Sequence, residues 1–205
     1  TVIAPLAWWL VSPLWINRSV DEAFPFELPA QEVMAAMSAT ELQTVKDQFA
    51  AALPNATEVA QMPAEQRQLV EQKAMEMAAV LPTTEMDEPM PAEPVIVAQG
   101  QFIDGDSFHK GSGQATIYRL ADGSHVLRFE AFAVTNGPDL HVLLATNPMP
   151  ESSSDLGEYI DLGSLKGNLG NQNYPLSADV DLSKYKSVVI YCLPFHVVFA
   201  TATLM

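Results

Sequence analysis

The stretch Gln114-Ala115-Thr116-Ile117-Tyr118-Arg119-Leu120-Ala121-Asp122-Gly123-Ser124-His125-Val126-Leu127-Arg128-Phe129-Glu130-Ala131-Phe132-Ala133-Val134 decides the fold. Its two halves are rich in β-branched and aromatic residues. Between them stands Asp122-Gly123, a pair suited to a tight hairpin turn in which both positions take positive φ. Further strands are expected outward from this hairpin, at Val95–Ile103, Leu140–Ala145, Tyr159–Leu162, Val188–Leu193 and Val197–Thr203. No helical pattern interrupts them. Asn136-Gly137-Pro138-Asp139 reads as a turn that needs glycine for a positive φ and proline for a fixed one. The Gly- and Asn-rich run from Gly163 to Tyr174 reads as a long connection. Short strands at this spacing predict an antiparallel β-sandwich over residues 99–205.

The rest of the chain has different chemistry. All 10 glycines lie at Gly100 or later, and so do all 4 histidines. The earlier part is rich in Ala, Met, Glu and Gln, which favours helix. Thr1 to Ile16 carries no charge and holds Trp8, Trp9 and Trp15, before Asn17-Arg18 ends the run. It reads as a membrane anchor over residues 1–17 that contacts the lipid bilayer through residues 1–16, with Trp15 at the aromatic belt. Residues 18–81 read as a short helical stalk. One helix runs from Pro29 to about Met37. A second is opened by the capping-box spacing of Ser38 and Glu41, and a third runs from Pro63 to about Val80 with a stripe of Leu69, Val70, Lys73, Met77 and Val80. Residues 82–98, with Pro82, Pro89, Pro91 and Pro94, read as a stiff linker. The predicted whole is mainly β: a sandwich domain preceded by a transmembrane helix and a short α-helical stalk.

The formal net charge is -15, which argues against nucleic-acid phosphates as a partner. The acidic bulk after Arg18 places the chain outside the cytoplasm as a single-pass protein, since the cytoplasmic flank of an anchor is basic. One cysteine, Cys192, excludes an internal disulfide and a multi-cysteine zinc site. No Gly-x-Ser-x-Gly elbow, P-loop or dinucleotide fingerprint is present. The aspartates between strands read as solvated loop acids.

Four blocks carry a resemblance. They are Phe108-His109-Lys110-Gly111-Ser112-Gly113-Gln114-Ala115-Thr116-Ile117-Tyr118, Phe132 to Val142 around Asn136-Gly137-Pro138-Asp139, Leu162 to Tyr174, and Tyr185-Lys186-Ser187-Val188-Val189-Ile190-Tyr191-Cys192 with Phe195. Together they resemble the DM-thirteen domain of Skeletor-type animal proteins, over Gln99 to Met205. Similar domains occur in bacterial proteins with a single membrane anchor, and the run from Ser12 to Pro25 looks like their stem. The resemblance implies electron transfer, with Cys192 in the place of the family's characteristic cysteine. Two departures stand out. Phe108 precedes His109 where many members have a second histidine, and Leu193 follows the cysteine where a basic residue is common.

The residues leave two functions open. Cys192 is a candidate redox thiol, but its apolar neighbours favour burial, which would raise its pKa. His109, His141 and His196 sit at turn edges or strand ends and are candidate ligands for haem or a metal, since imidazole with a thiolate suits copper, zinc or iron. No cofactor is visible in the sequence, and nothing in it marks an enzyme. The leading reading is a membrane-anchored, extracytoplasmic, non-catalytic binding module or accessory subunit, partnered by other membrane-protein subunits. The alternative is an electron-transfer domain using Cys192 or a bound metal or haem.

Overall fold

A computed structural model describes residues 28–92 and 94–205. The anchor expected over residues 1–17 and the start of the stalk lie outside the described residues. Among the described residues no helix is long and apolar enough to cross a membrane. Among the described residues the order is four α-helices, α1 (Gln31–Ala35), α2 (Ala39–Ala52), α3 (Ala56–Gln61) and α4 (Ala64–Ala79), and then nine strands, with a short 3-10 turn at Ser153–Asp155 between the fifth and sixth. These are β1 (Glu85–Asp87), β2 (Val95–Asp104), β3 (Gly111–Arg119), β4 (His125–Val134), β5 (Leu140–Ala145), β6 (Tyr159–Ser164), β7 (Leu169–Leu176), β8 (Ser187–Cys192) and β9 (Val197–Thr203).

The deciding hairpin forms, with Arg119 opposite His125. Its turn differs from the expectation. Leu120 N–H donates to Ser124 O, and Gly123 N–H donates to Leu120 O. Only Gly123 takes a positive φ, +85°. This is a three-residue loop closed by one left-handed glycine, and not the two-residue turn that needs two.

The strands form one curled sheet in the order β1-β7-β4-β3-β2-β9-β8-β5-β6. The sandwich expectation is corrected in this respect: two separate sheets are replaced by one mainly β sheet, because β2 belongs to both halves. Its residues up to Gln101 pair with β3, and Phe102 to Asp104 pair with β9. Gln99 and Met205 exchange both backbone hydrogen bonds, so the last residues are tied to the same strand. Gly100 permits this approach, since a Cβ there would lie 2.2 Å from Thr203 O. The curled interior holds Phe102, Phe129, Phe132 and Tyr174, with Phe102 edge-on to Phe129 at 5.0 Å. A smaller cluster of Leu143, Ala145, Leu156, Val189, Tyr191 and Val198 packs on the outer side of β5, β8 and β9. Thus every residue of β8 is buried, which is why it reads as an unbroken apolar run.

Two expectations fail at the other edge. The run from Gly163 to Tyr174 is not only a connection: Gly163 and Ser164 end β6, and the half from Leu169 onward is β7, hydrogen-bonded to β4 and β1. Its polarity misleads because Gln172 and Tyr174 point inward and satisfy each other, with Tyr174 OH donating to Gln172 Oε1 at 2.8 Å. Residues 82–98 are not a free linker either. They contain β1, which pairs parallel to β7, and the first four residues of β2. Beyond β1 the chain is clasped by Arg128, whose Nη1 donates to Glu88 O (2.9 Å), Pro89 O (3.2 Å) and Asn173 Oδ1 (3.0 Å). Its Nε meets Glu130 at 3.2 Å, and the whole side chain is buried.

The helices pack onto the sheet. Ser38 and Glu41 form the expected capping box of α2. Asn55 and Glu58 form a second one, opening α3, where no helix was expected. On α4 the buried residues are Ala74 and Ala78, while Leu69 and Val80 of the expected stripe are exposed. Small alanines let the helix backbone come close to its neighbours, and larger residues at those positions would hold it away. Phe49, Ala74, Ala78 and Leu81 belong to the same buried cluster as Leu140, Cys192 and Phe195.

Candidate functional site

The turn Asn136-Gly137-Pro138-Asp139 is where the two halves of the chain meet. Asn136 Nδ2 donates to Leu81 O at 3.2 Å, fixing the end of the helical segment. A cleft of about 160 Å³ lies between α2, this turn and residues 164–168. Within it Lys46 of α2 donates to Thr84 Oγ1, and burial lowers the Lys46 pKa. Gly137 is required for a different reason than expected. Its φ is not positive; a Cβ there would lie 2.5 Å from Phe199 Cε1 and Cζ and 2.9 Å from Leu140 Cδ2. The left-handed position of the turn is Asp139, with φ +49°.

Cys192 lies against this turn, paired with Leu140 across the sheet. Its Sγ–H donates to Pro138 O at 3.0 Å. The side chain is 1% exposed, and burial pushes the thiol up to about 12. Asp139 and Glu71 add negative charge nearby and push the same way. The thiol is therefore a neutral hydrogen-bond donor, neither a nucleophile nor a ready metal ligand.

The three candidate histidines are held apart, each in its own hydrogen bond. His109 is buried, its ring 4.2 Å from that of Phe199 and its Nδ1 2.7 Å from Asp106 Oδ2. Asp106 also accepts the backbone N–H groups of Phe108 and His109, which fixes the loop. Glu71 of α4 is close enough to respond to His109 and Asp106, and burial raises its carboxyl. His141 lies between two carboxylates, with Nδ1 at 2.8 Å from Asp161 and Nε2 at 3.3 Å from Asp139. Its pKa is raised by Asp139 and Asp161 against an opposing effect of burial. His196 Nδ1 lies 2.9 Å from the Tyr191 hydroxyl.

Among the described residues no group of three or more His, Cys, Asp or Glu side chains is arranged to hold a metal ion. His109, His141, His196 and Cys192 each have a separate partner, and haem or copper ligation by the four as one set does not fit this arrangement. The structure brings together Cys192, the turn and His141 through Asp139, and sets His196 beside Tyr191. Sequence reasoning missed Tyr191, Phe199 and Asp161 as participants. Only the chain spacing of Tyr191 and His196 across one hairpin could have signalled a pair.

No curated protein and no solved structure matches this chain. The model of one family does match, described as "Electron transfer DM13", over residues 101–204. That span covers the end of β2 and all of β3 to β9, with the Asn136–Asp139 turn and Cys192, and the chain belongs to the Electron transfer DM13 family.

Proposed function

We propose that this chain is an electron-transfer subunit of a membrane assembly, tethered by its apolar residues 1–16 and carrying its DM13 domain on the extracytoplasmic side. The family membership carries the electron-transfer part of this reading. The tether rests on the uncharged, tryptophan-bearing start of the chain, and the topology on its acidic bulk. Other membrane-protein subunits are the proposed partners.

A second reading, an accessory binding module without redox chemistry, is favoured by one observation. Cys192 is buried and protonated, with its proton committed to Pro138 O. Under the first reading natively purified protein, with its partners, shows a reversible redox signal by voltammetry or an absorption change on reduction. Redox silence in the intact complex, with no metal by elemental analysis, would favour the second reading. Protease added to intact cells should remove the DM13 domain, and full protection would overturn the topology.

A further inference from the structure

Tyr191 and Cys192 are neighbours on β8 that face opposite sides of the sheet: Cys192 belongs to the main core and Tyr191 to the smaller outer cluster. Tyr191 is 2% exposed, and burial pushes its hydroxyl up to about 12, an effect that hydrogen bonding from the Ser153 side chain partly offsets. A neutral buried phenol can lose an electron only if its proton leaves at the same time, because the charged radical cation would have to sit in an apolar cluster. Here the proton has a destination. The hydroxyl lies 2.9 Å from His196 Nδ1, and His196 is exposed to water. His196 occupies the left-handed position of the β8–β9 turn, with φ +58°. Glycine is the cheaper residue for such a backbone. The imidazole stands at a position where the backbone alone would favour another residue.

We propose that Tyr191 and His196 form a proton-coupled one-electron relay. This rests on the electron-transfer reading above. Tyr191 gives one electron to a one-electron oxidant, a high-potential metal centre of a docked partner. In the same step its O–H bond breaks and the proton passes to His196 Nδ1. The products are a neutral tyrosyl radical and an imidazolium. A one-electron donor returns the electron, and His196 returns the proton, so the relay ends unchanged. Cys192, on the opposite face of the strand, has no such exit, since the carbonyl that accepts its hydrogen bond cannot hold a proton.

The test uses the full chain and photogenerated tris(bipyridine)ruthenium(III) as the oxidant, with radical formation followed by transient absorption and electron paramagnetic resonance. The wild type should show a tyrosyl phase that slows in heavy water, and Tyr191→Phe should lose that phase. His196→Gly suits the left-handed backbone and should keep the fold, as its thermal unfolding will show. It should slow the phase on the order of 10²-fold, as expected for loss of a positioned proton acceptor. Added imidazole should restore both the rate and the isotope effect. Survival of the phase in Tyr191→Phe, or an unchanged rate and isotope effect in His196→Gly, would overturn the relay. These outcomes do not depend on a natural partner. A redox-silent native complex would sink the electron-transfer reading while leaving the photochemical result in place.

Discussion

The state of Cys192 separates the two readings of this protein most directly, and its reactivity can be worked out from the structure. Moving the thiol from its ordinary 9.0 to about 12 leaves roughly a thousandfold less thiolate at neutral pH. Burial to 1% exposure removes access as well. Iodoacetamide should therefore label the folded protein at least ~10³-fold more slowly than the unfolded chain, as read by intact-mass spectrometry at pH 7 over a time course. Substitutions extend the argument. Cys192→Ala removes the sulfur and strands the Pro138 carbonyl, so about 1–3 kcal/mol should be lost in chemical denaturation. Cys192→Ser keeps a donor for that carbonyl and should cost no more than alanine. A core thiol with no acceptor would give the reverse order, because serine would then bury an unpaired hydroxyl. Labelling of the folded protein at the rate of a free thiol would refute the reasoning. So would a serine variant clearly less stable than the alanine one.

Gly137→Val should destabilise by about 2 kcal/mol or more, because the Phe199 ring occupies the space of its Cβ; unchanged thermal unfolding would show that the turn yields freely. Arg128→Ala should cost about 3–5 kcal/mol, since the buried guanidinium satisfies two carbonyls and Asn173 and pairs with Glu130. It should also open residues 88–92 to proteolysis, and a loss under about 0.5 kcal/mol would refute the clasp. His141 has its pKa raised by Asp139 and Asp161, so its contribution to stability is full below the unfolded-state value. That contribution is lost as pH rises through the folded-state value. Plotted against pH, the stability gap between wild type and His141→Gln should be widest in acid and should narrow towards alkaline pH. A gap independent of pH would show that the two carboxylates do not act on the ring.

How far the sequence could be read depended on where each polar group points. The strands with one-sided or continuous apolar patterns, such as β4 and β8, were legible because burial wrote the pattern directly. β7 was not, because Gln172 is buried and satisfied by Tyr174 and by Gly167, a pairing that local composition does not reveal. β1 was hidden by its length of three residues and by prolines nearby. Gly137 was singled out correctly but for the wrong cause: a ring 62 residues further on, and not its own φ, excludes a side chain. For the site, Cys192 and the turn could be named from their residues, but the hydrogen bond joining them is a contact across 54 positions. The histidines have the right chemistry for ligands, yet each is engaged by a different partner, and only the fold decides that.

The family match begins at residue 101, whereas β2 begins at Val95 and β1 at Glu85. A fragment cut at the family boundary would lose six residues of β2 and all of β1. The outer edge of β7 would then stand bare, and the Arg128 guanidinium would lose the two carbonyls it donates to. Bare edges recruit strands from other molecules. The autonomous folding unit of this protein is therefore longer than its recognisable domain, and because Phe49, Ala74 and Ala78 pack in the same buried cluster as Leu140 and Cys192, expression trials that keep the helical segment as well as β1 and β2 should give monomer where those starting at 101 give aggregate.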